Sequence, residues 1–156
     1  MTATQRVLWA WFWVAVCAGA ILVMSGESFA AGQTGRFLKP LLEWIYPEIT
    51  VKQIVEVHYA LRKLAHLTEY AVLAMLSLRA LRLTIDVSIL RIAGLTLLIV
   101  LTVAGVDELR QSYLATRTGS LGDIAINLVG GGIGVLLVIA VHRLMGIGAP
   151  APRQET

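Results

Sequence analysis

Four stretches of this chain are apolar for nearly the length needed to cross a lipid bilayer, and no other feature limits its folding so sharply. A hydrocarbon core about 30 Å thick is crossed by about 20 helical residues rising about 1.5 Å each. The first stretch covers residues 7–24 and opens on Trp9, Trp11 and Trp13, side chains suited to the membrane interface. The second covers residues 65–81, the third 92–106 and the fourth 124–145. The second and third are short and carry polar residues at their ends, so they read as bundle helices with an inner face. Composition points the same way. With 57% hydrophobic and only 15% charged residues, and a mean hydropathy of +0.76, a domain this small lacks the charged surface that keeps soluble proteins dispersed. The expected fold is all-α: an integral membrane bundle of four transmembrane helices, with a short interfacial amphipathic helix between the first two.

That short helix is read from residues 25–62, the longest connection. Phe37, Leu38, Leu41, Leu42, Trp44 and Ile45 recur there at helical spacing, with Arg36, Lys39 and Glu43 between them. The pattern suits a helix lying in the headgroup layer and ended by Pro47. From Val51 the helical period resumes and runs into the second span. Residues 1–146 form the transmembrane domain, and residues 147–156, with Pro150 and Pro152 among polar side chains, read as a disordered tail. Arg6, the first apolar run and Ser28-Phe29-Ala30 also resemble a secretory signal with a cleavage site. The run is longer than the usual signal core, which favours a retained first span. Cys17 sits inside that run and acts as a small apolar filler. No internal repeat is visible.

The net charge of +3 does not make the chain a nucleic-acid binder, because its basic residues are scattered singly rather than gathered in a stripe. They read instead as topology signals. With four spans, one side holds Arg6, Arg79, Arg82, Arg91, Arg143 and Arg153. The other holds Arg36, Lys39, Lys52, Arg62, Lys63, Arg110 and Arg117, together with nearly every carboxylate. The cation count is close to a tie. The short loop between the second and third spans concentrates three arginines, and several cations opposite belong to a polar cluster. The expected arrangement is a multi-pass protein of the cytoplasmic (inner) membrane, both termini in the cytoplasm and the cluster outside.

The cluster comes from three segments. The second span opens with Lys63, His66, Glu69 and Tyr70, of which Lys63, His66 and Tyr70 share a helix face. The third span ends with Asp107, Glu108 and Gln111. The loop supplies Arg117, Gly119 and Ser120, and the fourth span opens with Asp123 and Asn127, ahead of Gly130, Gly131 and Gly134. Threading through the membrane returns all three segments to one rim. An ionised group at mid-bilayer costs about 2.5–3.5 kcal/mol on the lenient insertion scale. Glu69 and His66 therefore belong on the bundle interior or a wet cleft.

Each group also has a plain structural role open to it. Asp123 after Gly122 suits a helix N-cap. Gly130 and Gly134 suit a close-packing seam, facing a neighbouring span or another copy. Arg62 and Lys63 suit snorkelling anchors, His66 with Glu69 a clamp between helices, and Asp107 with Glu108 the watery end of a span. Those roles leave unexplained why one face gathers so many of them.

The two motifs are informative together. Lys63-x-x-His66-x-x-Glu69-Tyr70 before an apolar run resembles the first signature of the VanZ-like membrane protein family. Asp107-Glu108-x-x-Gln111, then Arg117-x-Gly119-Ser120-x-x-Asp123-x-x-x-Asn127-x-x-Gly130, resembles the second. The resemblance departs at Ala115 and Thr116, where that family often carries Pro or Gly. It implies cell-envelope biology at an outward-facing site, and a link to low-level resistance to the glycopeptide antibiotic teicoplanin.

Three functions compete. In the first, Lys63, Tyr70, Gln111, Arg117, Asp123 and Asn127 bind an anionic membrane lipid or lipid-linked envelope precursor, cations meeting phosphate or carboxylate. In the second, the chain is a small intramembrane hydrolase or transferase acting on such a precursor. His66 or Glu69 then serves as general base, with Asp107 and Glu108 as further catalytic candidates. Asp107, Glu108 and Asp123 offer oxygen ligands to a divalent cation, but no motif of metal-ligand spacing accompanies them. No metal or cofactor is therefore assigned. In the third, a transporter, polar residues would have to continue through the membrane, and they stop at one rim. The oligomeric state is left open.

Overall fold

A computed structural model describes residues 1–26, 31–113 and 121–145, with backbone alone for residues 31–34. Among these, the chain forms five helices: α1 (Ala3–Met24), α2 (Ala31–Ile45), α3 (Val51–Thr84), α4 (Ile89–Ser112) and α5 (Leu121–Leu144). Four of them, α1, α3, α4 and α5, are long and apolar enough to span a membrane, and α2 is shorter. The cleavage-like Ser28-Phe29-Ala30, the turn at residues 117–120 and the tail at residues 147–156 lie outside the described residues.

Local signals explain where the helices begin. Thr2 and Thr50 each cap a helix, the hydroxyl accepting from the backbone N–H of Gln5 or Gln53 while the glutamine side chain returns to the cap's own N–H. The second of these boxes follows Pro47 and starts α3 well ahead of its apolar half. At 34 residues, α3 is about 51 Å long, whereas α1, α4 and α5 have 22, 24 and 24 residues. Trp11 of α1 donates its indole N–H to the Thr84 hydroxyl at 2.9 Å, which aligns the start of the first span with the end of α3. With Gly130 against Leu67 and Gly134 against Ala71, most of the surplus length of α3 over α5 projects beyond the opposite end of the bundle.

α3 is the central helix and touches each of the other four. Tyr70, Leu73, Ala74, Leu78 and Ala80 are fully buried along it. α5 lies parallel to α3 at close range, Gly130 against the Leu67 carbonyl and Gly134 against the Ala71 carbonyl, where a Cβ atom has no room. Gly131 receives Val100 of α4. The glycine seam thus faces a span of the same chain. Outward, Leu90, Leu98, Val129 and Leu136 are exposed, the surface that lipid tails cover. Helix α2 runs through Pro40, which gives up one backbone hydrogen bond, and ends at Ile45 ahead of Pro47. Its Phe37 and Trp44 are 83% and 81% exposed, so the bundle leaves much of its apolar face uncovered.

Candidate functional site

The end of α1, the first half of α3, the end of α4 and the start of α5 meet at one end of the bundle. They bring an unusual number of polar side chains out of solvent. His66, Asp107, Glu108, Gln111, Asp123 and Asn127 are all buried, with Asp107, Gln111 and Asn127 at zero exposure. Buried polar groups must be satisfied by partners, and here one chain of hydrogen bonds ties three helices. Arg62 of α3 donates to the Gln111 side-chain oxygen at 3.3 Å. Gln111 donates its amide N–H to Asp107 at 2.8 Å, and the Ser25 hydroxyl at the end of α1 donates to the other Asp107 oxygen. Arg110 closes the same corner, donating to the Leu22 carbonyl and, at 3.1 Å, to the Ser25 hydroxyl. A cation on the last carbonyls of α1 also suits that helix's dipole.

A second set of contacts joins α3 to α5. Lys63 forms an ion pair with Asp123, their side chains 21% and 12% exposed. The Lys63 ammonium also lies 5.0 Å from the Tyr59 ring centroid, within cation–π range. Asp123 occupies the first turn of α5, where the helix dipole favours a negative charge.

The face of α3 expected to hold Lys63, His66 and Tyr70 together divides in two. Lys63 turns to α5. His66 and Glu69, with the His66 Nδ1 3.9 Å from the Glu69 carboxylate, line a cavity of about 460 Å³ on the flank of the bundle. Phe37, Leu38 and Leu41 of α2 supply its apolar wall, and His58, Arg62, His66 and Glu69 of α3 its polar one. Among the described residues neither α4 nor α5 lines it. Tyr70 is fully buried, its hydroxyl without a hydrogen-bond partner among the described residues, and the same holds for both amide atoms of Asn127. Glu108 is 5% exposed. Arg117 lies outside the described residues. Asp107, Glu108 and Asp123 do not converge on one point: among the described residues no group of three or more His, Cys, Asp or Glu side chains is placed to hold a metal ion.

Sequence reasoning missed Ser25 and His58, counted Arg110 only among the cations of that face, and treated Arg62 only as an anchor. The signal for Ser25 was available, since the threading that returns three segments to one rim returns the end of the first span there as well. The α2 wall had no such signal, because an apolar helix face does not name what it will cover.

A family model described as VanZ/LLP1 matches residues 8–142 of the chain. No curated protein and no solved structure matches it.

Proposed function

Starting from a chain that belongs to the VanZ/LLP1 family of multi-pass membrane proteins, we propose that its polar cluster is an outward-facing site for an anionic lipid or a lipid-linked component of the cell envelope. The observation that carries this reading is the flank cavity, where the apolar side chains of α2 face Arg62, His66 and Glu69 across about 460 Å³. That volume falls in the range of small-molecule sites. An apolar wall opposite a polar one, at the end of a membrane bundle, matches an amphiphile entering from the lipid. Lys63, Tyr70, Gln111, Asp123 and Asn127 of the same cluster belong to this reading as further polar contacts, and Arg117, which lies outside the described residues, as a further cation. The resemblance extends the reading to low-level protection against glycopeptide antibiotics, exerted at the envelope.

The test uses purified protein in neutral detergent, offered phosphatidylglycerol or phosphatidylcholine and read by native mass spectrometry. Selective retention of phosphatidylglycerol is expected, weakened severalfold by Arg117→Ala. Equal retention of the two lipids would sink the reading.

A second reading, an intramembrane hydrolase or transferase, draws on one observation: His66 and Glu69 stand side by side on the cavity wall. Either could take the proton of a water or alcohol as its oxygen bonds to the ester of a lipid-linked precursor and the alcohol portion leaves. Glu69→Gln would then abolish turnover while leaving lipid retention intact. A binding protein loses retention without turnover ever being detected.

A further inference from the structure

Three cations make contacts within the polar cluster among the described residues, and they are not equivalent. Lys63 is committed to Asp123. Arg110 is committed to the Leu22 carbonyl and Ser25. Arg62 spends one N–H on Gln111, at the long distance of 3.3 Å, and pairs with no carboxylate among the described residues. A guanidinium carries five N–H donors in a planar fork, so four of them remain for another partner. Arg62 is half-buried, it faces the flank cavity, and the opposite wall is apolar. A partly desolvated cation beside apolar side chains is unfavourable until an anion joins it.

We infer that Arg62, and not Lys63, receives the anion: the flank cavity takes a phosphate-headed lipid, its head on the Arg62 fork and one hydrocarbon chain along Phe37, Leu38 and Leu41 of α2. This deepens the reading above and rests on it. The Arg fork matches phosphate oxygens bidentately, which a lysine ammonium cannot do. Glu69 on the same wall does not oppose the anion, because it lies seven residues deeper, about 10 Å along the helix axis. The apolar wall does not hold a bare anion, so head and chain act together.

Three probes separate the contributions: dodecyl phosphate, dodecylphosphocholine with the same chain and a neutralised head, and inorganic phosphate with no chain. Binding is measured to the full-length protein in neutral detergent. Wild-type protein is expected to prefer dodecyl phosphate over both others. Arg62→Gln should weaken dodecyl phosphate binding roughly ten- to hundredfold, the loss of charge-assisted hydrogen bonds, and Arg62→Lys should recover only part of it. Ala65→Phe provides an independent variant. Ala65 lines the cavity and is exposed rather than packed, so the added ring fills the space without entering the core and should also abolish binding. Wild-type affinity in Arg62→Gln, with loss in Lys63→Gln or Arg117→Ala, overturns this assignment and leaves the lipid-binding reading standing. Equal binding of dodecyl phosphate and dodecylphosphocholine by the wild type overturns both.

Discussion

Lys63 and Asp123 show how a single pair couples two spans. Each side chain keeps some exposure, 21% and 12%, so the pair is neither a surface bridge of negligible weight nor a sealed one. Lys63→Met or Asp123→Leu alone leaves an uncompensated charge at the α3–α5 contact and should destabilise the protein by about 2 kcal/mol, below the about 3–5 kcal/mol of fully buried pairs. The double variant should recover most of that loss. Unfolding midpoints in detergent, arranged as a double-mutant cycle, check both statements. The sequence names both residues but not their partnership. Threading through the membrane decides which residues share a rim, while the rotation of each helix decides which of them touch. Lys63 and His66 lie on one broad arc of α3, yet the arc is divided between α5 and the flank cavity. Only packing decides where that division falls.

At the scale of helices, the seam between α3 and α5 rests on glycines that have no substitute. Gly134 abuts the Ala71 carbonyl, whereas Gly132 meets nothing within 4 Å. Gly134→Leu should therefore push α5 away from α3 and cost about 1–3 kcal/mol or more, lowering the thermal midpoint and the folded yield. Gly132→Leu should leave both unchanged. Equal effects of the two would show that the seam is not where α5 is held. The long apolar helices were readable because hydrophobic length is a property of the sequence alone, and the continuation of α3 from Val51 followed from unbroken periodicity. The contribution of α2 was not readable. Its apolar side chains announced an amphipathic helix, but whether Phe37 and Leu41 meet lipid, a partner or the chain's own α3 depends on tertiary placement.

For the molecule as a whole, sidedness is the property that decides which substrates can reach the site. The cations divide six against seven between the two faces, so charge counting alone barely favours one orientation. In a Cys17→Ala background, Glu48→Cys should react with a membrane-impermeant maleimide in intact cells, and Ser88→Cys only after the membrane is opened. The reverse pattern would turn the site inward and remove extracytoplasmic substrates from consideration.

The unequal helix lengths carry a consequence for the membrane itself. α3 is about 15 Å longer than α4 and α5, and most of the surplus over α5 lies on the side of the flank cavity, because Gly130 and Gly134 sit against Leu67 and Ala71. The matched portions of α1, α4 and α5 set the vertical position of the protein in the bilayer. In a thin membrane the ledge formed by α2 and the start of α3 rides above the phosphate plane; in a thick one it sinks among the acyl chains. On the proposed lipid-binding reading, bilayer thickness therefore sets the depth of the membrane from which the cavity draws its ligand.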